Sequence, residues 1–164
     1  MATVYDAGQC MVFKISRINS RDTSRAYALV ERAMPGLELG HWTALTASMD
    51  LRKAWFVAKD GEGYVRGICH VVVRGEGDRR RQLEVPLLVA AGLLDSGEIE
   101  RGLLDAAKTY AAAQGCSLVH VWTAIPSSWS TLIDYLEHGP WDHGLILKAD
   151  GDDDPDQPIR PVKM

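Results

Sequence analysis

Two histidines, His70 and His120, stand where an imidazole could accept a proton in a reaction near neutral pH. Each lies inside an apolar run with the composition of a β-strand. A histidine in a strand is also commonly a packed, hydrogen-bonded core residue, so both roles fit these positions. Cys69 directly precedes His70, and neighbouring strand residues point to opposite faces, so the two cannot form a nucleophile–base pair.

Short sequence motifs that mark other catalytic or nucleotide-binding sites are absent. The sequence contains no G-x-S-x-G elbow, P-loop, H-E-x-x-H or G-x-G-x-x-G motif. Its three cysteines are far apart and form no C-x-x-C pair, and Asp142-His143 lacks partners at metal-ligand spacing. We therefore expect no metal centre and no disulfide framework, which favours a reducing compartment.

Charge and hydropathy exclude two further classes. The 164 residues carry a net charge of −4, whereas a nucleic-acid binder usually shows a basic face. No apolar stretch approaches the ~18 residues of a membrane span, and the amino end lacks the pattern of a signal peptide. We expect a cytoplasmic protein that binds neither nucleic acid nor membrane.

The elements that would position the histidines follow from periodicity and turn residues. An arm of weak order is predicted over residues 1–11, one domain over 12–149, and a disordered, acidic, proline-containing tail over 150–164. The domain alternates as β-α-α-β-β-β-α-β-α-β, which is an α+β layered sandwich. Strands are predicted over 12–18, 54–58, 64–74, 82–91, 118–122 and 145–147. Four helices are predicted: one that begins after Asp22, one over 39–49, one that ends near Gln114-Gly115, and one over 127–138.

Two positions are informative within these elements. Pro86 lies inside a predicted strand and cannot donate to a ladder, so it marks a bulge, an edge or a splay. Asp95 and Glu98 have the spacing of a capping box, in which both side chains satisfy the first N–H groups of a helix.

The element order and three local stretches resemble the GNAT acyltransferase superfamily over roughly residues 12–148. In the first stretch, Gly102-Leu103-Leu104 matches the small residue and two leucines that often follow the family's phosphate loop. In the second, Tyr135 lies four residues before Gly139, as the family tyrosine does. In the third, Glu84 lies eleven residues before the loop, where some members carry a general base.

The resemblance implies a three-layer α/β/α sandwich around a mixed, mostly antiparallel sheet with a splay between its two central strands. It also implies acetyl-CoA or another acyl-CoA as cosubstrate, a small-molecule amine as acceptor, and a possible homodimer. Acyl-CoA would contact the backbone of the central strand, the phosphate loop and the start of the last helix. By residue, these positions are Leu88, Val89, Ala90, Asp95, Ser96, Gly97, Glu98, Ile99, Glu100, Ser128 and Thr131.

The resemblance assigns two catalytic roles. Glu84 would take the proton of the attacking amine, directly or through water, and Tyr135 would protonate the departing thiolate. Either residue also fits a structural role, Glu84 as an outward-facing strand carboxylate and Tyr135 as a core aromatic. Trp42, Trp55 and Trp129 fit both the acceptor pocket and the core.

The phosphate loop departs from the family pattern. The leading Gln/Arg position is Asp95, and the two glycine positions are Glu98 and Glu100. Two carboxylates beside a phosphate would repel it by on the order of 1 kcal/mol per close pair. The sequence therefore leaves open an N-acyltransferase and an inactive GNAT-like binding or interaction module that has lost CoA.

Overall fold

The computed structural model of the chain describes residues 12–75, 81–92, 96–138 and 144–149. These residues form a six-stranded sheet in the order β1-β2-β3-β4-β5-β6. Only β4 and β5 are parallel among these strands, and every other neighbouring pair is antiparallel. The strands are β1 Lys14–Arg17, β2 Trp55–Lys59, β3 Val65–Arg74, β4 Gln82–Ala90, β5 Leu118–Trp122 and β6 Gly144–Lys148.

Helices cover both faces of the sheet. Residues of α1, α2 and α5 pack into one hydrophobic cluster, and residues of α4 pack into a second cluster on the opposite face. The helices are α1 Thr23–Ala33, α2 Leu39–Leu45, α3 Met49–Arg52, α4 Ser96–Ala113 and α5 Trp129–His138. The predicted three-layer α+β sandwich with a mixed, mostly antiparallel sheet is confirmed.

Strand periodicity sorts the central side chains between the two clusters. Trp55 and Val57 of β2 enter the α5-side cluster, whereas Phe56 enters the α4-side cluster. On β3, Cys69 faces α4, while His70 packs against Trp55 on the other face. The expectation that Cys69 and His70 cannot meet is confirmed.

Pro86 marks both a bulge and a splay. His70 pairs with Leu87 and Val72 pairs with Glu84, so two β4 residues, Val85 and Pro86, stand where β3 has one. The β4–β5 pairing runs from Gln82 to Val85 and ends there within the described residues. Beyond the proline, β4 keeps its β3 partners while its recorded pairing with β5 has ended, and Pro86 has no N–H to donate to either ladder.

The predicted helix over 39–49 is wrong, because the chain makes two short helices there. Thr46 follows α2 with φ −123° and ψ 14°, outside the helical region, and its hydroxyl donates to the carbonyl of Trp42. Ser48 then caps α3 by accepting the N–H of Leu51 at 3.2 Å. Local side-chain bonds to the backbone thus end one helix and begin another.

Two helix starts also differ from expectation. Asp22 precedes α1 as predicted, but its carboxylate makes no cap bond and instead pairs with Lys59 at 3.0 Å. The last helix begins at Trp129 and not at 127. The predictions for residues 1–11, Asp95, Asp142-His143 and 150–164 fall outside the described residues. No helix among the described residues has the length and apolar character to cross a membrane.

Candidate functional site

A buried carboxylate, Glu84 of β4, lies at the centre of a polar row on the α5 side of the sheet. Its relative exposure is 2%. Oε2 accepts hydrogen bonds from Nδ1 of His120 at 2.8 Å and from Nε1 of Trp122 at 2.7 Å. Oε1 accepts a hydrogen bond from Nε2 of Gln82. The alternative interpretation of Glu84 as an outward-facing carboxylate is therefore wrong.

These donors keep Glu84 ionised. Burial alone would raise its pKa, but hydrogen bonds from His120, Trp122 and Gln82 outweigh burial and hold the pKa of Glu84 below its ordinary value. The guanidinium of Arg74 adds positive charge 4.0 Å from Oε1. A carboxylate with a lowered pKa and three donors accepts a proton poorly, so Glu84 is better placed to orient His120.

His120 of β5 is held in one orientation. An ionised carboxylate can only accept hydrogen bonds, so Nδ1 of His120 carries the proton of the 2.8 Å bond to Glu84. In the neutral ring this leaves a basic lone pair on Nε2. The ring lies over Gly144 of β6, where an added Cβ would clash with Nε2 and stand 2.8 Å from the carbonyl oxygen of Val121. Gly144 is needed here for space.

The Glu84–His120 pair lies beside the splay. Glu84 pairs with His120 one position before Val85 and Val121, the last paired residues of β4 and β5. Any group that enters the gap between the strands therefore approaches this pair. The His120 side chain is 12% exposed, whereas Glu84 beside it is almost fully buried.

A cavity of about 450 Å³ opens on the same face of the sheet. Trp55 and Trp129 both line it and stack on each other with ring centroids 5.8 Å apart, and the ring centroid of His70 lies 5.3 Å from that of Trp129 in an edge-to-face contact. We call this space the aromatic cavity. Its lining residues are Leu45, Asp50, Leu51, Ala54, Trp55, His70, Val72, Trp129, Ile133, Leu136 and Glu137.

His70 is neutral and incompletely satisfied. Burial lowers its pKa to about 3, and Nδ1 has no hydrogen-bond partner among the described residues. An unpaired buried polar group costs about 1–3 kcal/mol. With so low a pKa, His70 is a much weaker candidate base than His120. Of the three tryptophans considered for the acceptor pocket, Trp42 is fully buried core, while Trp55 and Trp129 line the cavity.

Known structures share this architecture. The aminoglycoside N-acetyltransferase AAC(6')-Iy, solved with CoA, has a TM-score of 0.58 at 13% identity, over 80% of this chain and 90% of its own. AAC(6')-Ih from Acinetobacter baumannii has a TM-score of 0.58 at 14% identity, over 76% and 88%. A GCN5-related N-acetyltransferase from Kribbella flavida has a TM-score of 0.55 at 11% identity, over 77% and 32%. This chain has the GNAT fold.

At these identities the likeness concerns the fold alone. No protein-family model matches the sequence, and no curated protein matches it. The GNAT resemblance inferred from element order and spacing is confirmed at the level of the fold.

The positions of the GNAT phosphate loop are helical here. Ser96–Glu100 form the start of α4, and Asp95 lies outside the described residues. Ile99 is buried against Gly67 of β3, whereas Gly97, Glu98 and Glu100 are exposed. The first N–H groups of a helix have no acceptor within it, so this turn can offer donors to a phosphate.

The predicted pantetheine contacts lie on the separated part of β4. Leu88, Val89 and Ala90 pair with Cys69, Ile68 and Gly67 of β3 and are half-buried. Their β5 side is beyond the last β4–β5 pair within the described residues. An extended ligand could therefore add to this edge as a strand would.

The start of α5 is organised by Ser128. Its hydroxyl oxygen accepts the N–H of Thr131 at 3.2 Å and lies 2.9 Å from Oγ1 of Thr131. Ser128 therefore caps α5, and its hydroxyl already has a structural use. Tyr135 is half-buried on α5 and packs against the α5-side cluster. Contact of Ser128 and Thr131 with acyl-CoA, and the acid role of Tyr135, stay predictions.

Sequence reasoning identified Glu84 and His120 separately but missed their contact. It also missed Trp122 as a donor to Glu84 and Gly144 as the space for the imidazole. A parallel register that aligns Glu84 with His120 would have revealed the pair, and no turn residue in the sequence fixes that register.

Proposed function

We propose that this protein is an acyl-CoA-dependent N-acyltransferase that transfers an acyl group, such as acetyl, to a primary amine by direct attack. The observation that carries the proposal is the Glu84–His120 pair at the point where β4 and β5 of a GNAT fold separate. A base oriented by a buried carboxylate can take the proton that the amine loses, and an open strand edge leaves room for the acyl-CoA.

The acyl-CoA would lie in the splay, along the separated edge from Leu88 to Ala90. Its pyrophosphate would accept hydrogen bonds from the backbone N–H groups of Ser96 and Gly97 in the first turn of α4. The predicted contacts with Glu98, Ile99 and Glu100 would then be made by the backbone, because Ile99 is buried and the two carboxylates are exposed. AAC(6')-Iy, whose structure contains CoA, supports this general mode of binding.

The reaction replaces the C–S bond of the thioester by the C–N bond of an amide. The amine nitrogen attacks the thioester carbonyl carbon, the new C–N bond forms, and the C–S bond breaks. Nε2 of His120 takes the proton that the nitrogen loses, directly or through one water, while Glu84 stabilises the imidazolium through Nδ1. The thiolate leaves with the bonding pair and receives a proton from the phenol of Tyr135. In this scheme Glu84 is a positioning residue and His120 is the base.

Thermal unfolding with acetyl-CoA tests the proposal. If Kd is about 10 μM, 1 mM ligand stabilises the protein by about 2.7 kcal/mol, which raises Tm by roughly 5–10 °C for a chain of this size. Desulfo-CoA serves as a ligand without the thioester, and ATP as an unrelated nucleotide. A folded protein whose Tm does not move with acetyl-CoA would refute CoA-dependent catalysis.

The assigned base is tested by His120→Gln, with release of free thiol as the readout. We expect kcat to fall by about 10²–10⁴-fold, with little change in acetyl-CoA affinity. Tyr135→Phe should lower kcat without weakening acetyl-CoA binding. Retention of full turnover by either variant would remove that residue from its role.

A second candidate is a GNAT-fold module that no longer binds CoA and acts by binding a small molecule or another protein. The exposed Glu98 and Glu100 at the start of α4 favour it, because they place two negative charges where the family pattern has glycines. The same titration separates the two functions. A module of this kind would show no shift with acetyl-CoA, while its cavity could still bind ligand.

A further inference from the structure

A second cavity, of about 410 Å³, lies at the carboxyl end of β1, where the turn before α1 meets the end of α3. Three cationic side chains line it, those of Arg17, Arg52 and Lys53, and no carboxylate does so among the described residues. We call this space the cationic cavity. A concentration of positive charge in a chain whose net charge is −4 favours an anionic ligand at this place.

The guanidinium of Arg17 is held by two rings and a carbonyl. Its Cζ lies 5.2 Å from the ring centroid of Phe56 and 4.7 Å from that of Tyr110. Its Nη1 donates to the carbonyl oxygen of Lys53, which uses one of the five N–H groups of the fork. A guanidinium fixed in this way loses little further freedom when its other N–H groups bind an anion.

The second guanidinium, that of Arg52, is also anchored on the backbone. Its Nη1 donates to the carbonyl oxygens of Thr46 at 2.9 Å and Ala47 at 3.2 Å. Lys53 differs, because its ammonium pairs with Asp50 at 2.6 Å. No carboxylate of the described residues forms an ion pair with either guanidinium. The cavity therefore holds two positive charges without a counter-charge from the described residues.

The remaining walls supply neutral donors and apolar surface. Oδ1 of Asn19 accepts the N–H groups of Arg21 at 2.9 Å and Asp22 at 3.1 Å, so its NH₂ is left to donate. Ile18 and Met49 are the apolar lining residues, and Met49 is 72% exposed. This combination suits a ligand whose anionic group is attached to a small apolar body.

The cationic cavity is remote from the first turn of α4. Tyr110, which stacks with Arg17, lies fourteen residues after Ser96, the first residue of that helix. Fourteen residues of α-helix span about 21 Å. An anion in the cationic cavity is therefore a different group from a pyrophosphate bound at Ser96 and Gly97.

We propose that the cationic cavity binds a small organic phosphate, the monoester of an apolar alcohol or phenol. Such a phosphate carries nearly two negative charges at pH 7, which the two guanidiniums balance through paired N–H···O bonds. The NH₂ of Asn19 and the hydroxyl of Ser20 would donate to the remaining oxygens, while the organic part would lie on Ile18 and Met49. A monocarboxylate would leave one guanidinium charge unbalanced.

Calorimetric titration without acyl-CoA tests the site, in about 0.1 M salt, where charges farther away than about 10 Å are screened. The probe is phenyl phosphate. Benzoate presents a single charge on the same ring, and inorganic phosphate presents the anion without the ring. We expect phenyl phosphate to bind at least tenfold more tightly than benzoate and more tightly than inorganic phosphate. Benzoate that binds as tightly as phenyl phosphate, or no binding of phenyl phosphate at millimolar concentration, would overturn the proposal.

Variants locate the bound phosphate. Ser20→Glu places a carboxylate in the cavity from an exposed turn position and should weaken phenyl phosphate at least tenfold. Arg17→Gln should weaken it to a similar extent, and Ser20→Glu keeps the test decisive if Arg17→Gln does not fold. Arg32→Gln, the matched control, removes an exposed arginine of α1 and should leave the affinity unchanged. Wild-type affinity in folded Ser20→Glu would refute the assigned site.

The double variant Glu98→Gln, Glu100→Gln separates this site from the start of α4. It should leave the affinity for phenyl phosphate unchanged, because those carboxylates lie in the first turn of α4, far from Arg17. Tighter binding in the double variant would place the phosphate at α4 and overturn the proposal. None of these results depends on acyl transfer, since no acyl-CoA is present.

Discussion

Glu84→Gln tests the hydrogen bonds around Glu84 most directly, because it preserves the side-chain shape and removes the charge. The carboxylate now faces three donors, from His120, Trp122 and Gln82. The glutamine amide NH₂ cannot accept any of them. Its carbonyl oxygen, turned toward His120 and Trp122, can accept both of their N–H groups as neutral hydrogen bonds, and its NH₂ then faces Gln82, whose amide must turn to present its oxygen.

The cost follows from the bonds lost. Hydrogen bonds to a charged group contribute about 1.5–3 kcal/mol, neutral ones about 0.5–1.5, and an orphaned buried donor costs about 1–3. Changing the bonds with His120, Trp122 and Gln82 from charged to neutral weakens each by about 1 kcal/mol and should lower the free energy of unfolding by about 3 kcal/mol. For a chain of this length Tm should fall by roughly 6–12 °C.

The stability that Glu84 contributes should fall as the pH falls. The pKa of Glu84 is lowered in the folded state, so its stabilisation is present above the unfolded value near pH 4.3 and is lost as pH falls through the folded pKa. Denaturant unfolding at pH 7 and pH 3 should therefore show a larger difference between wild type and Glu84→Gln at pH 7. Nitrogen-15 NMR should find the His120 proton on Nδ1 in the wild type.

Glu62→Gln is the matched control, since it removes a carboxylate that is exposed in a turn. It should change stability by less than about 0.5 kcal/mol. If Glu84→Gln is as stable as this control at pH 7, or if Nδ1 of His120 carries no proton in the wild type, the assigned hydrogen bonds of Glu84 are refuted.

Three further outcomes follow from the same geometry. Gly144→Ala should displace the His120 ring and cost about 1–3 kcal/mol, measured by denaturant unfolding, and an unchanged stability would contradict the close approach of the ring. His70→Phe should reduce the loss of stability between about pH 6.5 and pH 4.5, because burial depresses the folded pKa of His70 to about 3 while the unfolded chain binds a proton near 6.5. An unaltered slope in this range would show that other groups cause it. The double variant Glu98→Gln, Glu100→Gln should bind acetyl-CoA several-fold more tightly in a titration at low salt, whereas Glu137→Gln should leave the affinity unchanged. Equal effects of the two changes would show that Glu98 and Glu100 do not lie near the phosphates.

Much of the fold was predictable because its signals are local. Pro86 predicted a break in a ladder, and it coincides with the bulge against β3 and the end of β5 pairing. The boundary of β5 at Leu118–Trp122 was predicted from its apolar run. The region 39–49 was mispredicted because its apolar spacing is helical, while the break depends on hydroxyl groups of Thr46 and Ser48 that bond to the backbone.

The site was less predictable because it depends on registers between strands distant in the chain. Glu84 and His120 are 36 positions apart, and they meet only because β4 and β5 align them. A shift of one residue would turn the His120 side chain to the α4 face. The aromatic cavity likewise needs α5 to place Trp129 over Trp55, and the helical pattern of α5 does not specify its neighbour on the sheet.

The acidic turn of α4 weakens the case for acyl-CoA less than its charge suggests. Glu98 and Glu100 are exposed, so water and salt screen them, and at a separation of about 8 Å each would repel a phosphate charge by about 0.5 kcal/mol. Together they would weaken binding by less than tenfold, since tenfold corresponds to about 1.4 kcal/mol. Charge at these positions therefore cannot abolish a micromolar site by itself. The backbone N–H donors of the first turn decide whether the splay of this GNAT fold holds acyl-CoA. The Glu98→Gln, Glu100→Gln variant measures the effect of the carboxylates alone. If the donors already bind phosphate, this variant should gain no more than about tenfold in affinity for acetyl-CoA.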